Sequence, residues 1–175
     1  MTDIKSQAEV AYAKKEYKLA AELFSKAAIE ADNRSNPAES SELRNNASVA
    51  FLQANDADSA FNIVANSEAI FIEIGDKKRH AMALGNQAAA LEALGQKKKA
   101  KELYIEAAEL LKASGDKELR TFVLKRISAI QVQEGKQFEA LGSLYAALEN
   151  SENLTFREKT LKKLSSLVMR LMQRG

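Results

Sequence analysis

Apolar residues recur along this chain at helical spacing, and small residues recur at fixed places inside that spacing. Ala60, Ile63, Val64, Ser67, Ile70, Phe71 and Ile74 follow an i, i+3, i+4, i+7 order. Ala100, Leu103, Tyr104, Ala107, Leu110 and Leu111 repeat it farther on. A stripe of that period lies along one face of a helix and predicts a helix that buries that face. Polar punctuation separates the stripes. In "IGDKK" and "SGDKE", Gly75 and Gly115 suit a helix C-terminus, and Asp76 and Asp116 suit the next N-cap. Asn36 is a cap of the same kind, with Pro37 at the first helical position. Gly95 and Gly135 predict tight turns, and Lys15 and Asn55 stand in the same column earlier in the chain.

Sliding the sequence on itself by 40 residues brings these features into register without a gap. Ala20, Ala60, Ala100 and Ala140 form one column of small residues. Ala8, Ser48, Ala88 and Ser128 form a second, and Ala27, Ser67, Ala107 and Ala147 a third. A bulky column, Phe24, Val64, Tyr104 and Leu144, accompanies them. Each copy reads as two antiparallel helices, which approach closely only where side chains are small. The copies fall at about 1–35, 36–75, 76–115 and 116–153, followed by a helix at about 155–173. The expected fold is all-α: four helix pairs and a C-terminal capping helix, in one domain spanning 1–175. Thr155 and Glu158 have capping-box spacing at the start of the last helix. Phe156, Leu161, Leu164, Leu167, Val168, Leu171 and Met172 give it an apolar stripe, expected to cover the last repeat.

Composition supports this picture and narrows the chemistry. One proline among 175 residues and seven glycines are too few for a chain of tight β-turns. The absence of cysteine excludes disulfides, thiolate metal sites and a cysteine nucleophile. A net charge of +2 argues against nucleic-acid binding by the whole domain. The lysine run around Ala100 does not change that. Ala100 is expected to face its partner helix, while Lys98, Lys99 and Lys101 point to solvent with no aromatic platform among them. With no signal-like apolar core near Met1 and no span-length apolar run, the expected location is cytoplasmic. No metal, cofactor or catalytic site is expected. His80 is the only histidine, and no phosphate-binding glycine loop is present.

The columns resemble the tetratricopeptide repeat (TPR), whose pattern is W-x2-L-G-x2-Y, then A-x3-F, then P. Leu84, Gln87, Ala88, Leu91, Gly95, Ala100, Tyr104 and Ala107 carry the resemblance best. Tyr17, Ala20, Phe24 and Ala27 carry it in the first copy. It covers residues 3 to 153. The period here is 40 rather than about 34. Asp32, Ile72, Lys112 and Glu152 replace the closing proline, and Ile4, Arg44, Leu84 and Leu124 replace the tryptophan.

The resemblance implies an adaptor whose first helices line a concave groove for a peptide or helix of another protein. The implied groove residues are Lys5, Glu9, Asn45, Asn46, Val49, Met82, Asn86, Phe122, Lys125 and Arg126. Asn46 and Asn86 stack one repeat apart, and side-chain amides can hold an extended backbone of any sequence. The alternative is that they fill a helix seam. Lys5, Lys125 and Arg126 would favour an acidic segment or a terminal carboxylate, and Met82 and Phe122 an apolar anchor. Lys5 and Asn46 match two places of the set with which some family members hold chaperone tails. Glu9, Met82 and Asn86 depart from it, so that ligand is not expected. The C-terminal helix gives a second, weaker reading. Arg157, Lys159, Lys162, Lys163, Arg170 and Arg174 face one acid, Glu158, giving the tail +5 and the rest −3. Such a helix can lie on an anionic membrane, meet a partner groove or join two copies of the chain.

Overall fold

A computed structural model describes residues 3–149 and 154–172, except the side chains of Met169, Leu171 and Met172. Arg174 lies outside the described residues. The described chain is all-α. Its helices are α1 (Ile4–Ala13), α2 (Tyr17–Asn33), α3 (Pro37–Gln53), α4 (Ala57–Val64), α5 (Ala69–Glu73), α6 (Lys77–Ala93), α7 (Lys97–Ser114), α8 (Lys117–Gln133), α9 (Gln137–Glu149) and α10 (Phe156–Met172). The chain divides into two compact units within α7, between Leu103 and Tyr104.

One corner device is used throughout. Lys15, Ser35, Asn55, Gly75, Gly95, Gly115 and Gly135 each hold a left-handed φ of 54° to 77°. At each corner the next residue donates its N–H to the carbonyl five positions back, as Asn36 does to Ala31, Asp76 to Phe71 and Asp116 to Leu111. This bond satisfies a carbonyl that the finished helix leaves open and reverses the chain in a few residues. Four of these donors then cap the helix that follows. Asn36, Asp56, Asp76 and Asp116 accept from the backbone N–H of Glu39, Ser59, Arg79 and Leu119 at 3.3, 3.0, 3.0 and 3.0 Å. The Ser59 bonds, side chain first, hold Asp56 below the usual carboxylate range.

In the first unit α2 packs on α1 and α3, α3 on α4, α5 and α6, and α6 on α4 and α5. In the second, α9 packs between α8 and α10. All twelve residues of the three small columns are buried, Ala100 and Tyr104 included, while Lys98 and Lys99 are exposed and Lys101 half-buried. Small residues bring backbones near enough for side chains to bond across the seam. Ser128 donates to the Ala140 carbonyl at 2.7 Å, joining α8 to α9. Arg44, in the tryptophan column, instead pairs with Asp32 at 2.6 Å.

Two expectations need correction. The stripe from Ala60 to Ile74 is not one helix. It breaks after Val64, where Ala65 has ψ 129° and Asn66 a left-handed φ of 61°, and helix resumes as α5. Asparagine is one of the few residues that enters that region readily. Ser67 and Phe71 stay buried across the break, so the stripe survives as a packing surface although the helix does not. The second correction concerns α10. It packs on α9, but the fully buried position facing inward is Ser165, whereas Phe156, Leu161, Leu164 and Leu167 are exposed.

Candidate functional site

The break in the second copy organises the centre of the first unit. A helix that stops leaves its last carbonyls open. The Val64 carbonyl accepts from the Ser67 N–H at 3.1 Å and from Gln87 Nε2, reaching over from α6, at 3.4 Å. Gln87 Nε2 also donates to Glu68 Oε2. On the facing helix Asn45 donates through Nδ2 to the Ser41 carbonyl at 3.0 Å. Its Oδ1 accepts from Asn86 Nδ2 at 3.1 Å and from the Ser67 hydroxyl at 3.5 Å. One buried amide thus ties α3, α6 and the break together.

Above this network runs a groove. A cleft of about 530 Å³ is lined by Glu42, Asn45, Asn46 and Val49 of α3, Phe71 of α5, Asp76, and Lys78, Arg79, Met82 and Asn86 of α6. A second, of about 310 Å³, lies between Glu9 and Tyr12 of α1, Phe24 of α2, and Asn46 and Val49 of α3. The two share Asn46 and Val49 as a common wall. Arg79 shapes one end: its guanidinium lies 5.9 Å from the Phe71 ring centroid and pairs with Glu42 at 3.0 Å and Asp76 at 3.2 Å.

Glu9, Asn45, Asn46, Val49, Met82 and Asn86 therefore meet along these clefts. Their roles differ. Asn46 is exposed and Met82 is 43% exposed, but Asn45 is buried and holds Asn86. The amide pair one repeat apart is Asn45–Asn86 rather than Asn46–Asn86, so the seam-filling alternative describes Asn45. Lys5 is half-buried on α1 and lines neither cleft. The cleft linings carry three carboxylates, Glu9, Glu42 and Asp76, against Lys78 and Arg79, with no basic surplus. Sequence reasoning did not find Tyr12, Phe71 or Arg79. They come from the ends of helices adjoining the implied column.

Phe122, Lys125 and Arg126 belong to the second unit. Phe122 is 62% exposed and Arg126 half-buried. Lys125 bonds through Nζ to Glu158 Oε1 at 2.6 Å. Glu158 is also the acid of the expected capping box. Its Oε2 accepts from the Thr155 N–H at 2.9 Å, while the Glu158 N–H donates to the Thr155 hydroxyl at 3.3 Å. The Lys125 ammonium first, then the two Thr155 donors, lower its carboxyl from the ordinary 4.5 to about 2. A carboxyl depressed on folding contributes stability fully above its unfolded value and loses it as pH falls through the folded one. The attachment of α10 to α8 is therefore expected to hold from neutral pH to about 4.5 and to weaken toward about 2. Carboxyl-resolved NMR titration checks this. Glu158 should titrate near 2, and Lys125→Ala should move it up toward 4.5. An ordinary midpoint in the unaltered protein would mean that the pair is absent in solution. Both groups are partly exposed, so added salt should narrow the difference.

The basic residues of the tail divide as well. Lys162 donates to the Glu149 carbonyl at the end of α9 at 2.8 Å. Lys159, Lys163 and Arg170 line a cleft of about 600 Å³ beside Tyr145 and Phe156. Arg157 is exposed. Among the described residues no helix is long and apolar enough to cross a membrane.

No protein-family model and no curated protein matches the sequence. Solved structures do match the fold. A crystal structure of a single-residue variant of a Podosopora anserina kinesin light chain with nearly identical TPR-like repeats covers 100% of both chains, with a TM-score of 0.72 at 14% identity. The chain therefore has an all-α, TPR-like repeat fold.

Proposed function

We propose that this protein is a protein-interaction module, in which the groove across α1, α3 and α6 holds an extended segment of a partner. The observation that carries this reading is Asn46: an exposed amide on a wall shared by two clefts, flanked by Val49, with Tyr12 on one side and Met82 on the other. An amide offers a donor and an acceptor to a passing backbone, and Tyr12, Val49 and Met82 offer apolar contact to its side chains. The near balance of charge in the lining favours an uncharged or mixed segment over a strongly acidic one. The likeness to TPR-like repeats supports a scaffold, and the reading invokes no catalysis.

The test uses peptides selected from a random display library against the unaltered protein. Asn46→Ala with Met82→Ala removes two side chains that reach solvent, so thermal stability should stay within about 0.5 kcal/mol. Peptide affinity should fall by roughly tenfold or more, since about 1.4 kcal/mol of lost contact corresponds to tenfold. Peptides that bind both proteins equally would remove this groove from consideration.

A further inference from the structure

The second unit carries a surface that the groove does not use. Helix α10 has two adjoining rows. Phe156, Leu164 and Leu167, 85%, 55% and 56% exposed, share one face at helical spacing. Lys159, Lys163 and Arg170 form the row beside it. They line the 600 Å³ cleft against Tyr145 of α9 without a carboxylate in the lining. Neither row supports the fold. The inward side of the helix is set by Ser165, by Glu158 held to Lys125, and by Lys162 held to Glu149. A helix that needed its leucines to cap the last repeat would have turned them inward.

We propose that this face of α10 docks on an anionic lipid surface. The charge pattern selects that occupant. An interfacial helix buries its apolar row at the headgroup boundary while the cations beside it meet anionic headgroups. Lys159, Lys163 and Arg170 stand where those headgroups would lie, and long basic side chains can reach them while their stems stay against the apolar row. The cleft between α9 and α10 can admit a headgroup phosphate, with three cations along it. Because α10 remains attached to α9 by its other side, docking requires no unfolding. The association is peripheral, since no described helix can span a bilayer.

Vesicle flotation of the full chain tests the proposal, with phosphatidylcholine vesicles compared with vesicles also containing phosphatidylserine. The unaltered protein should float with the mixed vesicles at low salt and less so as salt rises. Lys159→Glu with Lys163→Glu and Arg170→Glu should reduce partition by roughly a hundredfold or more, from roughly fivefold per cation near such a surface. Phe156→Ala with Leu164→Ala and Leu167→Ala keeps every cation. A comparable loss there separates insertion from simple capture of an anion. Circular dichroism of both variants should match the unaltered protein, since the replaced side chains are exposed. No flotation at low salt, or equal flotation with both vesicle types, would overturn the proposal. So would sedimentation as a dimer that the alanine variant abolishes, in the absence of flotation. That result would assign the face to a second copy of the chain.

Discussion

Replacing Phe71 with alanine is expected to cost about 3–5 kcal/mol of unfolding free energy, the range for truncating a buried aromatic. The ring is 1% exposed although it sits in a five-residue helix, too short to persist without tertiary contacts. Its burial is what docks α5 against α3 and α6. The alanine variant should therefore lose stability and also the end of the groove, because Arg79 stacks on this ring while reaching Glu42 and Asp76. Phe71→Leu keeps most of the volume and should lose less than about 1.5 kcal/mol. Urea denaturation of the three proteins measures the difference. A loss below about 1 kcal/mol for Phe71→Ala, well outside the aromatic range, would mean that α5 is not docked in solution.

Removing the Asn45 amide should be the second severe change, at about 2–3 kcal/mol. The reason is asymmetric: deleting one partner leaves the others buried and unpaired, and each such group costs about 1–3 kcal/mol. Asn45→Ala strands Asn86 Nδ2, whose bond is 3.1 Å, and the Ser67 hydroxyl, whose 3.5 Å contact is the weaker. A double-mutant cycle isolates the bond from the lost volume. Asn45→Leu and Asn86→Leu should each destabilise, and the pair together should cost about 0.5 kcal/mol or more less than the sum. Strict additivity would show that the two amides do not interact. Because Asn45 lies beneath the groove, its loss should also weaken peptide binding, while Asn46→Ala weakens binding alone.

Much of this fold was legible in the sequence because its signals are local. Asn36, Asp76 and Asp116 cap where their residue type and spacing said they would, and Gly75 and Gly115 hold the left-handed corners. The small columns were legible because only one face of each helix can accept a neighbour at close range. The break at Ala65–Glu68 was not. The apolar order runs straight through it, and neither proline nor glycine marks it. Asn66–Ser67 was the only local signal, and it is a weak one, because asparagine tolerates both helix and left-handed turn. What favours the turn is non-local: the Gln87 amide on the Val64 carbonyl and Asn45 on Ser67. The columns also picked out much of the groove, but could not say which amide faces solvent and which faces a neighbour. Asn45 and Asn46 are adjacent on one helix, and a rotation of about 100° separates a buried strut from an exposed contact. Helix α10 shows the same limit: its stripe was legible, but not which side of it would meet α9.

The wall shared by the two clefts has a consequence for occupancy. Because Asn46 and Val49 belong to both, the clefts are not independent binding sites. Two short fragments would compete for the wall, each lowering the other's apparent affinity by the same factor, as linkage requires. A single segment long enough to cross the wall meets no such conflict. Once one end is seated, the other end faces its cleft at a local concentration in the millimolar range. The groove would thus discriminate by length before it discriminates by side chain.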